Sequence, residues 1–183
     1  MISAIPVVAT DWKLFIHTSL NPKQYKQQSL TIAYYQVCQT ARFMGLDRFV
    51  MLEDDLQITD RDGFIDRMIY REEFDLCYLT RTRHNQEGAK TSPHNDLFDK
   101  VNSNWWETPA TLWSAKFAER FIDHIEAKTN EGLWLGHIDH ELDKLNQTGE
   151  FMFLGSTKQV AIGLSSTEQT VIPTEGSIYL DTL

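Results

Sequence analysis

Cysteine is scarce in this chain: its 183 residues hold two, Cys38 and Cys77. Two thiols with no metal-type spacing read as reduced core side chains and exclude a disulfide framework. No apolar run approaches the length needed to span a membrane. The opening Met1-Ile2-Ser3 has neither the basic start nor the cleavage site of a secretory signal, so a cytoplasmic protein is expected. Basic charge is in deficit, with 17 Lys and Arg against 26 Asp and Glu and a formal net charge of -9. That argues against a nucleic-acid surface covering the whole molecule and leaves room only for a local basic patch. There is no P-loop, no Gly-x-Gly-x-x-Gly and no Gly-x-Ser-x-Gly, so kinase-like, dinucleotide-binding and α/β-hydrolase readings have no motif behind them. Internal repeats and low-complexity segments are also missing.

What is present is the composition of a globular protein, 42% hydrophobic and 23% charged. The length suits one domain over 1–183 with a real core. The stretch 47–59 stands out. Its apolar run Phe49-Val50-Met51-Leu52 reads as a strand buried on both faces. It runs directly into Glu53, Asp54 and Asp55. Ligands in open α/β sheets sit beyond the carboxyl ends of such strands. Adjacent carboxylates raise each other's pKa unless a cation or hydrogen bonds compensate. A hard divalent ion, Mn²⁺ or Mg²⁺, suits such oxygens. If the extended geometry continues, Glu53 and Asp55 point one way and Asp54 the other. Asp55 is then the favoured metal ligand, with Glu53 or Asp54 either meeting a nucleotide or supporting that ligand from behind. A solvated acidic turn is the plain alternative.

Ahead of this stretch, residues 5–9 and 14–16 are short apolar runs that suit strands. Leu30, Ala33, Tyr34, Val37, Ala41 and Met44 share one helical face, with Gly45 as the stop. After it, Asp60 or Asp62 can cap a helix carrying Phe64, Ile65, Met68 and Ile69. Residues 74–79 form another buried strand, and strand–helix–strand is the pattern of a parallel α/β unit. Residues 80–104 are polar and without a period, which predicts a mobile functional loop. That loop holds Arg81, Arg83, His84, Lys90 and His94. Trp105 to Trp113 can form a strand. Ser114 then caps a helix burying Phe117, Ala118, Phe121, Ile122 and Ile125. A further helix follows around 137–145, then strands near 151–154 and 160–164, and a surface tail over 165–183.

Two further groups suit chemistry. In Gly136-His137-Ile138-Asp139-His140-Glu141, a helix puts His137 and Glu141 on one face and Asp139 and His140 elsewhere. These residues can supply a metal ligand and a general base. The spacing is not that of a helical zinc motif. A polar helix start with Asp139 favoured by the helix dipole is the alternative. Trp105, Trp106 and Trp113 can stack on sugars or bases, or can simply pack the sheet.

Several pieces in order resemble the family 25 glycosyltransferases of the lipooligosaccharide β-galactosyltransferase type. These are the helix that begins near Ser29 (with Leu30 where the family has His), the strand end Val50-Met51-Leu52-Glu53-Asp54-Asp55, the strand 74–79, the segment 108–121, Ile138-Asp139, and Gln159 with Ser165-Ser166. The resemblance spans roughly 25–168. It implies a GT-A-like, Rossmann-related three-layer sandwich with a mostly parallel central sheet. It also implies a metal-dependent enzyme that moves a sugar from a nucleotide-sugar donor, a UDP-sugar foremost, to a saccharide or other hydroxyl acceptor with inversion. In that scheme Asp139 is the catalytic base. Asp55 and Glu53 hold the metal, and Asp54, Arg81 and Arg83 meet the donor. Trp105, Trp106 and Thr108 meet the acceptor. The alternatives are a glycosyltransferase-like binding domain without turnover, and a metal-dependent α/β enzyme acting on phosphoesters.

Overall fold

The computed structural model describes residues 26–133 and 135–163, apart from the side chains of 26–29 and 84. The strands expected at 5–9 and 14–16, the Ser29 side chain, Ser165, Ser166 and the tail over 165–183 lie outside the described residues.

Helix α1, Lys26–Phe43, buries Thr31, Tyr34, Cys38 and Ala41, which recur at helical spacing along one face. It stops where predicted. Gly45 takes a φ of 65° and donates to the Arg42 carbonyl, and Leu46 donates to the Ala41 carbonyl. This paired closure needs a residue that tolerates the left-handed region, which glycine does without steric cost. Strand β1, Arg48–Leu52, follows. Next come β2, Leu56–Ile58, and helix α2, Arg61–Met68, whose first turn Asp60 caps by accepting from the Gly63 amide. Strand β3, Leu76–Tyr78, is buried throughout.

The segment 80–104 is not one long loop. It folds as a short helix α3, Arg83–Gly88, and a hairpin of β4, Lys90–Pro93, and β5, Phe98–Ser103. Its polar sequence concealed the strands because Phe98 and Val101 are the only buried residues of β5. They are three apart and so point to opposite faces of the sheet. Strand β6 is Ala110–Ser114, shorter than the expected 105–113. Helix α4, Ala115–Asn130, is capped by Ser114 and buries the five residues predicted. Helix α5, Ile138–Gln147, and strands β7, Phe153–Ser156, and β8, Ala161–Gly163, complete the described chain.

The architecture is mixed α/β. Among the described residues a six-stranded sheet runs β1-β6-β3-β7-β5-β4, and β2 pairs with β8 in a separate ribbon. The mostly parallel sheet expected from the sequence is corrected here: β3–β7 is a parallel pair, whereas β1–β6, β6–β3, β7–β5 and β5–β4 are antiparallel. The strand–helix–strand pattern correctly implied that β1 and β3 run the same way. It did not reveal that β6 inserts between them in the opposite sense. A second correction concerns β1. It is an edge strand among the described residues, with Phe49 and Met51 buried and its alternate residues half-buried.

Helices α1, α4 and α5 cover one face of the sheet, where Phe49, Met51, Leu76, Tyr78, Trp113 and Phe153 meet Tyr34, Phe117, Phe121 and Ile138. Phe64 of α2, with Val160 and Ala161 at the start of β8, covers the other face over Cys77, Leu112 and Leu154. Both cysteines are buried and free, as anticipated. Trp113 lies at the centre of the helical side, with ring centroids 5.1 Å from Phe117 and 5.3 Å from Phe121. Such aromatic pairs contribute about 0.5–1.5 kcal/mol beyond their burial.

Candidate active site

Because β1 and β3 both run antiparallel to β6, their carboxyl ends and the start of β6 share one edge of the sheet. The Glu53 amide donates to the Pro109 carbonyl at 2.9 Å, and the Leu79 amide donates to the Ala110 carbonyl at 2.9 Å. Glu53, Thr108 and the end of β3 are thereby gathered at one end of the sheet.

Glu53 does not continue the strand. The Leu56 amide donates to the Glu53 carbonyl at 3.3 Å, so 53–56 close a tight turn. The alternation expected for an extended Glu53-Asp54-Asp55 therefore does not apply. Asp54 is exposed at the turn, while Glu53 and Asp55 are half-buried. Glu53 Oε1 accepts from Thr108 Oγ1 at 3.0 Å and lies 3.0 Å from Tyr34 Oη. Tyr34 Oη is also 2.8 Å from the Thr108 carbonyl oxygen. A phenol has one proton, so it donates to one acceptor at a time. When it donates to the carbonyl, the Glu53–Tyr34 contact requires the proton on Glu53. Burial raises the Glu53 pKa, the Thr108 and Tyr34 hydroxyls oppose this, and the charges of Asp55 and Asp139 add to the rise. Tyr34 is pushed well above its ordinary range by its own burial first and by Glu53 second.

Asp139 comes to this edge from α5. His137 caps that helix in extended backbone, and Asp139 follows two residues later. His137 Nδ1 stands 3.2 Å from Asp139 Oδ2 and 3.5 Å from the Asp139 amide nitrogen. The bond to Asp139 raises the His137 pKa, burial opposes it, and the charges of Asp139 and Glu53 reinforce the rise. The protonated ring donates Nδ1–H to the carboxylate, and the neutral ring can accept the helix amide instead. Asp139 is 8% exposed, and its Oδ1 is buried with no hydrogen-bond partner among the described residues. An oxygen so placed is costly unless something fills its valence.

The remaining predicted residues are distributed as follows. Thr108 is buried and bonded to Glu53. Trp105 is 1% exposed and stacks on Tyr78 at 5.2 Å, which leaves no ring face for a sugar. Trp106 is half-buried, with its ring edge-on to His140 at 4.9 Å. Around these two rings Asn104 and Glu107 take positive φ values of 58° and 68°. The Asn85 side chain holds the strained segment by accepting from the Trp106 amide and donating to the Trp106 carbonyl. Arg81 is occupied by Asp99 at 3.0 Å, and Arg83 lies exposed beside Glu87. Gln159 is exposed.

The shared helical face of His137 and Glu141 does not produce a shared site. Glu141 is fully buried, and its Oε1 accepts from Lys128 Nζ at 2.7 Å, Lys144 Nζ at 3.0 Å and the Gly136 amide at 2.8 Å. Its Oε2 meets His124 Nε2 at 2.8 Å. These bonds overcome the cost of burial and hold the carboxyl well below the usual carboxylate range.

Among the described residues no group of three or more His, Cys, Asp and Glu side chains is arranged to hold a metal. Glu53 and Asp55 bracket one turn and feel each other's charge. That fits a hard ion held by one or two carboxylates together with substrate phosphates, and does not fit an all-protein cage.

Sequence reasoning missed Tyr34 as a site residue. It counted only as a core position on α1. The signal was an aromatic ring with a polar tip on the buried face of a helix, since such a tip needs a partner when buried.

No family model matches the chain, and no curated protein matches it. The resemblance to the family 25 glycosyltransferases therefore rests on the residues quoted for it.

Proposed function

We propose that the protein is a GT-A-like glycosyltransferase that moves a sugar from a nucleotide-sugar donor, foremost a UDP-sugar, to an acceptor hydroxyl with inversion. One observation carries this reading: Asp139 holds a buried Oδ1 with no hydrogen-bond partner among the described residues, while His137 occupies Oδ2, and the carboxylate lies within electrostatic reach of Glu53. A carboxylate held at one oxygen and unpaired at the other is suited to accept a proton from a hydroxyl that reaches that buried oxygen. In this scheme Asp139 Oδ1 takes the acceptor's hydroxyl proton as that oxygen attacks the anomeric carbon. The new carbon–oxygen bond forms as the sugar–phosphate bond breaks. The electron pair leaves on the diphosphate. His137 donates to Oδ2 and keeps the carboxylate oriented.

Glu53 and Asp55 are the residues that would hold Mn²⁺ or Mg²⁺. When bound, the ion neutralises charge on the diphosphate leaving group. Arg83, which is exposed, is the better candidate for reaching the donor phosphates, because Arg81 is engaged with Asp99. Trp106 stays in the proposal as the acceptor side, whereas Thr108 is buried and its hydroxyl is spent on Glu53, so it supports the site from within. A cytoplasmic location belongs to the same proposal; among the described residues no helix is long and apolar enough to cross a membrane.

A second reading is a glycosyltransferase-like binding domain without turnover. It is favoured by the Tyr34 and Thr108 hydroxyls that already engage Glu53 Oε1. Thermal shift with UDP, with and without Mn²⁺, separates the two. The enzyme reading expects stabilisation by UDP only with metal, lost in Asp55→Asn. Absence of any nucleotide response removes it.

A further inference from the structure

A surface hollow of about 300 Å³ lies between α4, α5 and the segment leading into β7. Its lining, Arg120, Asp123, His124, Leu145, Thr148, Glu150 and Phe151, shares no residue with the Glu53 and Asp139 cluster. Its volume is at the lower end for small-molecule sites. One of its walls is chemically unusual. His124 is 22% exposed, and its Nε2 points inward to the fully buried Glu141 at 2.8 Å. Glu141 Oε1 is already saturated by Lys128, Lys144 and the Gly136 amide, so Oε2 is left to His124 alone. An ionised carboxylate only accepts hydrogen bonds, so His124 must carry a proton on Nε2. In the neutral ring this fixes the tautomer and makes Nδ1 a lone-pair acceptor. Orientation of one imidazole nitrogen by a buried carboxylate is the arrangement that prepares the other nitrogen for a ligand.

The rest of the hollow suits a neutral partner. Arg120 and Glu150 pair at 3.5 Å and cancel in charge, and the exposed Asp123 adds one carboxylate, so the lining disfavours an anion and offers donors and acceptors to a neutral molecule. Phe151 and Leu145, both nearly buried, give it an apolar floor. A ligand matched to this lining has a C–H face and several hydroxyls, each of which both donates and accepts. We propose that this hollow is a second binding site, distinct from the Asp139 site, for one ring of a neutral saccharide, with a ring hydroxyl donating to His124 Nδ1. It does not depend on the glycosyltransferase reading. Asp139 and Glu141 are two residues apart on α5 and so face roughly opposite sides of that helix.

The test is an NMR titration of the protein with methyl hexopyranosides, following the imidazole nitrogens of His124 and the ring protons of Phe151. Saturable shifts at both residues are expected with at least one of the glycosides. Removal of one hydrogen bond in His124→Ala should weaken binding by about three- to tenfold. Glu150→Ala, at an exposed side chain, guards against a folding defect and should also weaken binding. Asp139→Asn should leave the affinity unchanged, which separates this site from the catalytic proposal. Absence of saturable shifts with every glycoside, or shifts that persist unaltered in both hollow variants, overturns the proposal.

Discussion

His137 Nδ1 stands 3.2 Å from Asp139 Oδ2, while Oδ1 of the same carboxylate is buried without a hydrogen-bond partner among the described residues. The pair thus divides the two oxygens of one acid between a structural contact and an open valence. Its pH behaviour follows from the sign of the shift. The His137 pKa is raised on folding, first by its bond to Asp139. The native state therefore binds this proton more tightly than the unfolded chain. The resulting stability is complete below the ordinary value of about 6.5 and is lost as pH rises through the raised one. Asp139→Asn should return the titration of His137 toward its ordinary value and flatten this part of the stability profile. NMR titration of the His137 ring, with urea midpoints on both sides of neutrality, reads both effects. An unmoved titration would show that Asp139 is not what holds the proton.

Glu141 gives the opposite sign. Its pKa is depressed in the fold by His124, Lys128, Gly136 and Lys144. It contributes stability above the unfolded value of about 4.3, and that contribution fades as pH falls below it. Glu141→Gln should cost about 1.5–3 kcal/mol near neutrality, the range for hydrogen bonds to charged groups. The variant should also lose sensitivity to acid. Urea unfolding from neutrality down through strong acid, well below the unfolded value, measures both. A variant as acid-sensitive as the parent would place the acid transition elsewhere.

Gly155 and Trp105 provide a packing test. A Cβ added at Gly155 would fall within the ring of Trp105, which is itself stacked on Tyr78. Neither ring has room to retreat, because both are buried in the core. Gly155→Ala should destabilise by about 1–3 kcal/mol, the usual cost of overpacking. Denaturant midpoints check this. A neutral result would mean that the tryptophan can move aside.

The helices were legible in the sequence because their signals are local. Ser114 caps α4 and Asp60 caps α2 as read, and the buried stripe Phe117, Ala118, Phe121, Ile122 and Ile125 is the one that periodicity marks. Sheet order was not legible. The insertion of β6 between β1 and β3 is set by pairings such as Phe49 with Trp113 and Leu76 with Trp113, which bring distant residues together. The β4–β5 hairpin is hidden in the sequence because its exposed positions carry Lys, Pro and Asn, residues common on edge strands and in loops alike. At the site, the sequence singled out Glu53 and Asp139 individually, and the structure brings them within each other's field. Tyr34 was overlooked because a tyrosine on an apolar helix face is read as packing. Trp105, an aromatic that sequence alone offers as a ligand platform, is a core residue.

The central claim is that Asp139 removes a proton from an acceptor hydroxyl while a nucleotide-sugar bond breaks. The most direct measurement is release of UDP from a set of UDP-sugars with Mn²⁺ and saccharide acceptors, comparing the parent protein with Asp139→Asn. The account predicts acceptor-dependent release by the parent. It also predicts a drop in turnover of about 10²–10⁴-fold in the variant, the range for loss of a general base, with little change in donor affinity. Turnover by Asp139→Asn equal to that of the parent, or no release by the parent with any donor, would contradict it.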